Sequence, residues 1–115
     1  MKTVEEYMAK GFDKATAEYF AAGRRKIVEV EPQSDFVLKL TFDNGEHRAY
    51  DCRPLIQSNT VFETLSDMSV FRRVYLDDTS CVSWDIDPNV DSTKVWSNKI
   101  DLSSDGCYLD SRPMI

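Results

Sequence analysis

Between Phe36 and Phe42 the side chains alternate: Phe36, Leu38, Leu40 and Phe42 are large and apolar, and Val37, Lys39 and Thr41 stand between them. A period of two puts each set on its own face of a β-strand. Asn44-Gly45 follows, then a second run to Tyr50 and Asp51, and Asn-Gly between two such runs is the strongest short-range signal for a hairpin. Two registers are open. A two-residue turn sets Leu40 opposite Ala49 and Leu38 opposite Asp51. A three-residue loop with Gly45 left-handed sets Leu38 opposite Tyr50 and Phe36 opposite Cys52. The second is preferred, because it buries Tyr50 and Cys52 with the leucines and leaves Asp51 outside, avoiding a carboxylate on the core face.

The flanking segments carry other periods. Thr3 and Glu6 form a capping box, and Val4, Tyr7 and Met8 share a face, which predicts a short helix to Lys10 ended by Gly11. Asp13 is the expected N-cap of a second helix with an Ala17, Phe20, Ala21 stripe, closed by Gly23. Ile27 to Val30 is β-branched and reads as a strand, and Pro32 with Ser34-Asp35 reads as a turn, so three antiparallel strands are expected in a row. Thr60 and Glu63 suggest a second capping box, opening a helix with Val61, Phe62, Leu65 and Met68 that covers the sheet. Val70 to Leu76 and Cys81 to Ile86, around Asp77 to Ser80, predict a second hairpin. Asp87 to Thr93 reads as a polar loop, Lys94 to Leu102 as a further strand or edge, and Ser103 to Tyr108 as a helical turn before a fraying end.

These elements define an α+β fold: a small antiparallel sheet of two hairpins plus an edge strand, a covering helix, and a two-helix lead-in over residues 1–25. Residues 26–115 form a single domain. At 115 residues the chain is long enough to bury a core without metal or disulfide. Its three cysteines, Cys52, Cys81 and Cys107, are odd in number and lack a CxxC pair, so they read as reduced, mostly buried thiols. The net charge of -6 opposes the phosphate backbone, which argues against direct nucleic-acid binding. No apolar run reaches the length of a membrane span and no secretory signal opens the chain, so a soluble cytoplasmic protein is expected.

The chemistry-bearing residues are sparse. The lone histidine, His47, sits beside the hairpin turn without a visible partner and reads as a solvated side chain. Asp85, Asp87, Asn89 and Asp91 place oxygens at alternate positions, as the first half of a calcium loop does. Val90 stands where the sharp turn needs glycine and Trp96 where the bidentate glutamate belongs, so a metal site is not expected. DLSSDG, from Asp101 to Gly106, supplies two carboxylates, but paired acids need split environments to act as acid and base. No GxSxG, P-loop or GxGxxG motif is present, and the chain leans away from being an enzyme or holding a cofactor. Trp84 and Trp96 both read first as core fillers, with a partner surface as the other reading.

Taken together, VEVEPQSDFVLKLTFDNGEHRAYD, VFETLSDMSVFRRVYLDD and WSNKIDLSSDGCYLDS resemble the bacterial domain-of-unknown-function family DUF2442. The matching positions are Phe42, Asn44, Gly45, Glu46, Tyr50 and Asp51; then Val61, Phe62, Leu65, Asp67 and Phe71; then Trp96, Asp101, Leu102 and Tyr108. The likeness runs from Ile27 to about Leu109. The lead-in helices and the Trp84 to Thr93 segment depart from the pattern, as does Ser103, where the family often carries proline. The resemblance implies an α+β fold and no established catalytic residues. Family members are often encoded beside another small protein in a toxin-antitoxin-like arrangement, and some are fused to a helix-turn-helix domain that this chain lacks. The expected function is therefore a non-enzymatic interaction module. Its contact surface would be the Trp96 to Tyr108 segment with the Asp85 to Asp91 loop, and its partner the product of an adjacent gene. A small-molecule pocket lined by Asp51, Arg53 and Tyr108, or a homodimer, is the alternative. The candidate binding residues are Asp51, Arg53, Trp96, Asp101 and Tyr108.

Overall fold

A computed structural model describes residues 3–114. Helices α1 (Val4–Ala9) and α2 (Lys14–Ala21) form the lead-in, capped by Thr3 and Asp13, whose side chains accept from the Glu6 and Thr16 amides. Strands β1 (Ile27–Pro32), β2 (Val37–Phe42) and β3 (His47–Asp51) follow, then α3 (Met68–Phe71), β4 (Tyr75–Leu76), β5 (Val82–Asp85), β6 (Lys99–Leu102), α4 (Ser104–Asp110) and β7 (Arg112–Pro113). The strands make two antiparallel sheets, ordered β1-β2-β3-β7 and β4-β5-β6. The α+β class and the lead-in helices stand as the sequence indicates. The second hairpin and β6 form a sheet of their own.

The hairpin adopts the three-residue loop. Leu38 pairs with Tyr50, and the Cys52 amide donates to Phe36 O at 2.9 Å. Gly45, at φ 85, occupies a left-handed position that a Cβ would strain. Leu38, Leu40, Phe42, Tyr50 and Cys52 are buried, and they meet Leu65, Phe71, Val82, Trp84, Ile100 and Cys107 from the second sheet and the helices. The indole of Trp84 donates to Phe71 O at 2.9 Å, which satisfies the one polar atom this ring carries into the core. In β1 the register slips between Ile27 and Glu29, so Val28 is extra and faces outward beside Glu29.

Four expectations are corrected. The Thr60 capping box does not form: the Thr60 hydroxyl donates to Gln57 O at 2.8 Å, and the Glu63 carboxylate accepts from the Asn59 amide at 3.1 Å. Without that cap, Val61–Ser66 winds as a 3-10 turn, and the α-helix starts later, where Asp67 accepts from the Ser69 amide. Val70 and Phe71 consequently lie in α3, where Phe71 is fully buried against Trp84, so β4 keeps only Tyr75 and Leu76. The strand expected from Lys94 begins at Lys99, after a 3-10 turn at Trp96–Asn98. Beyond α4 the described residues do not fray: β7 pairs with Arg48 and Ala49, and the Met114 amide donates to His47 O at 3.0 Å.

Candidate functional site

Asn98 organises the most distinctive surface. It is buried, and its side-chain amide donates to Asp87 O (3.1 Å), Val90 O (3.2 Å) and Ser92 Oγ (3.0 Å) while its oxygen accepts from the Asp87 amide (2.9 Å). One side chain thus supplies the bonds that the backbone of the 86–95 loop cannot make within a strand or helix. Trp96, where the loop returns to β6, is 83% exposed, and Val95 before it and Ile86 at the loop's other end are also exposed. An indole left in water on a loop held from beneath is uncommon, because Trp normally buries most of its surface.

The loop surrounds an open concavity of about 560 Å3 lined by Tyr75, Asp85, Asn89, Asp91 and Ser92 among others. Asp85 Oδ1 accepts from the Tyr75 hydroxyl (2.8 Å) and Ser92 Oγ (2.6 Å), which leaves Oδ2 without a partner among the described residues. Burial, with the bond to Asp85, pushes Tyr75 up to about 12. Asp87 and Asp91 each turn a carboxylate oxygen onto their own loop, to the Asn89 amide and to Thr93. Asp87 and Asp91 are thus each committed to their own turn, while Asp85 bonds Tyr75 and Ser92 across the concavity. Over residues 85–98 three aspartates face a single cation, Lys94, so this surface is acidic.

The described residues hold one metal-sized group, Asp77, Cys81 and Asp101. Lys99 already fills the role of its cation, with Nζ 2.8 Å from Asp77 Oδ2 and 3.8 Å from Asp101 Oδ2. Asp77 Oδ1 accepts from the Thr79 and Cys81 amides and from the Thr79 hydroxyl. Burial would raise the Asp77 carboxyl, but these bonds, led by the one from Lys99, hold it far below the usual range. The group pins the β4–β5 turn to β6.

The predicted site residues fall in separate places. Asp51 and Arg53 meet in an ion pair of 2.8 Å at the end of β3, and the bonds from Arg53 lower the Asp51 carboxyl. Asp51 is half-exposed, outside the core as the preferred register requires. Trp96 stands at the C-terminal end of the 86–95 loop and Asp101 on β6. Tyr108 lies on α4, its hydroxyl donating to Glu46 Oε1 at 3.0 Å and its ring 4.4 Å below the Arg48 guanidinium. No hydrogen bond or ion pair joins these last three to the Asp51–Arg53 pair among the described residues. His47 is exposed and bonded to Thr41 at 3.1 Å. Sequence reasoning missed Asn98, Arg48 and Tyr19, the last stacked on Tyr108 at 4.8 Å. The partners of Tyr19 and Arg48 lie up to 89 positions away, beyond any local pattern, and those of Asn98 lie 6 to 11 positions back across an irregular loop.

A scaffold of two antiparallel sheets with helices on them, carrying acidic and aromatic groups on its loops, is a small α+β protein. The chain belongs to DUF2442, a family of proteins of unknown function, which it matches over residues 27–109. No curated protein and no solved structure matches it significantly. The lead-in helices fall outside the matched span. No described helix is long and apolar enough to cross a membrane.

Proposed function

We propose that the protein is a non-enzymatic interaction module that engages a basic protein partner through Trp96 and the Asp85 to Asp91 loop, as the acidic member of a two-protein pair. The observation that carries this reading is the 83% exposure of Trp96 above a loop immobilised by buried Asn98. Presenting a rigid aromatic in a fixed geometry lowers the entropic cost of docking, and Trp is among the residues most enriched where binding energy concentrates. The surrounding carboxylates favour a partner rich in Lys and Arg and accelerate encounter with it. The unpartnered Asp85 Oδ2 within the concavity offers such a side chain an acceptor.

Co-expression with the product of an adjacent gene, followed by size-exclusion chromatography with light scattering, tests this. A one-to-one complex is expected, weakened at least about a hundredfold by Trp96→Ala, the scale of a central anchor. Loss of affinity on Asp85→Asn with a reduced salt dependence is expected as well. A complex indifferent to both substitutions, or no complex, overturns the reading. Light scattering of the protein alone reports whether a second copy of the chain takes this surface instead.

A further inference from the structure

A second concave site lies where the lead-in meets the family domain, and it shares no residue with the Trp96 surface. The cleft, of about 310 Å3, opens between the end of α2 and α4, with Ala15, Ala22 and Leu109 as walls and Arg25, Arg48 and Tyr108 among its lining. That volume is at the lower end of the range for small-molecule sites, roughly 300–1,000 Å3.

Arginines gather here in a chain whose acids outnumber its bases. Arg24, beside the cleft, pairs with Asp105 at 3.4 Å, and Arg48 pairs with Glu46 at 2.5 Å through one of its N–H groups. Arg25 is half-buried and has no carboxylate partner among the described residues. Gly23, at φ 90, lets the chain turn back after α2, and the Arg25 amide donates to the Tyr19 hydroxyl at 3.0 Å, which fixes the backbone from which that guanidinium projects. Arg48 is held rigidly, with Nε on Ser111 Oγ and Nη2 on Ser111 O, both at 2.7 Å. A guanidinium has five N–H donors, and the bonds to Glu46 and Ser111 use three, so Arg48 retains two. The positive field reaches Tyr108, whose hydroxyl burial and Glu46 raise while Arg48 and Arg25 draw it back. The cleft therefore presents two guanidinium groups that keep uncommitted donors, which an anionic head can fill. Glu18 also lines it, but at the exposed rim, 3.8 Å from Lys14.

We propose that this cleft binds a small organic anion, a carboxylate or phosphate monoester with a compact apolar body, with the anionic head on Arg25 and Arg48 and the body against Ala15, Ala22 and Leu109. Because α2 and Arg25 lie outside the matched family span, the lead-in completes the site, and family members without these helices lack it.

The test is an amide NMR titration of the full chain with benzoate, with phenyl phosphate, and with benzylamine as the cationic counterpart. Saturable shifts centred on Gly23, Arg25 and Tyr108 are expected with at least one anion and not with benzylamine, and the tighter anion identifies the preferred head group. Arg25→Gln should weaken binding about tenfold, the scale of one charge-assisted hydrogen bond. Glu18→Gln, which removes only the rim carboxylate, should tighten it. Ala15→Trp should fill the cleft and abolish binding with the amide spectrum otherwise folded. Shifts that are absent, that scatter over the surface without saturating, or that persist undiminished in Arg25→Gln overturn the proposal.

Discussion

At the scale of single residues, stability here depends on a few polar side chains that each satisfy several partners. Asn98 is one. Replacing it with Ala strands the Asp87 amide and the Asp87 and Val90 carbonyls, so Asn98→Ala should cost about 2–3 kcal/mol in chemical denaturation and broaden the amide signals of the 86–95 loop. Asp77 is another, and it carries a pH signature. Its carboxyl titrates lower in the folded chain than in the unfolded one, so the unfolded state binds more protons as acid is added. The stabilisation is fully present above about pH 4 and falls as the pH drops through the folded value. Asp77→Asn should be less stable at neutral pH and should lose part of this acid dependence, as read from urea midpoints across that range. The two indoles offer a third check. Trp84 is fully buried and Trp96 is 83% exposed, so acrylamide should quench only the Trp96 component. Trp96→Phe should leave a single blue-shifted, protected emission. A folded Trp96→Phe protein with readily quenched emission would contradict the core placement of Trp84.

At the scale of elements, local rules succeeded where partners are near in sequence. The hairpin turns on residues within its own span: Gly45 supplies the left-handed conformation, and alternation decides which face is buried. Gly45→Ala meets no neighbouring atom, so its expected cost of about 1 kcal/mol is a backbone effect alone, measurable as a lowered denaturation midpoint at unchanged slope. The caps of α1 and α2 likewise lie where Thr3 and Asp13 indicate. The Thr60 capping box failed because its residues found competing partners, Gln57 and Asn59, equally close in the chain. Asp67, three residues before Val70, was legible as a cap in principle. The apolar run around Val70 and Phe71 read instead as a strand, a confusion to which short apolar segments are prone.

At the scale of the whole molecule, two sheets with α3 and α4 enclose one core, and the lead-in helices are appended outside it. The lead-in docks through Tyr19, which is buried, stacks on Tyr108 and donates to Asp105 at 2.6 Å. Tyr19→Phe keeps the stack and removes the hydroxyl that Arg25 and Asp105 share, so a modest loss of about 1 kcal/mol is expected, with increased amide exchange confined to α1 and α2. The cysteines report global unfolding. Cys52 and Cys107 are buried in the core, and burial pushes both thiols up to about 12, whereas Cys81 is only half-buried. A thiol reagent at neutral pH should therefore label Cys81 first and reach the other two only at the rate of unfolding.

The amino-acid sequence by itself determined the periodicities, the turn at Asn44-Gly45, the lead-in helices and the family to which residues 27–109 belong, because turns, caps and periodicity depend on neighbours a few positions apart; between the two hairpin registers it favoured, without deciding, the one that β2 and β3 adopt. It read Trp96 first as a core filler, which the 83% exposure overturns, and marked the Asp85 to Asp91 run only as half of a calcium-like pattern. Only the tertiary structure decided that Trp84 is core and Trp96 is surface, that the strands divide into two sheets, and that Arg25, Arg48 and Tyr108 surround one cleft. The physical reason is burial and hydrogen-bond satisfaction between distant segments: identical residue types acquire opposite environments according to which partners the closed chain brings against them.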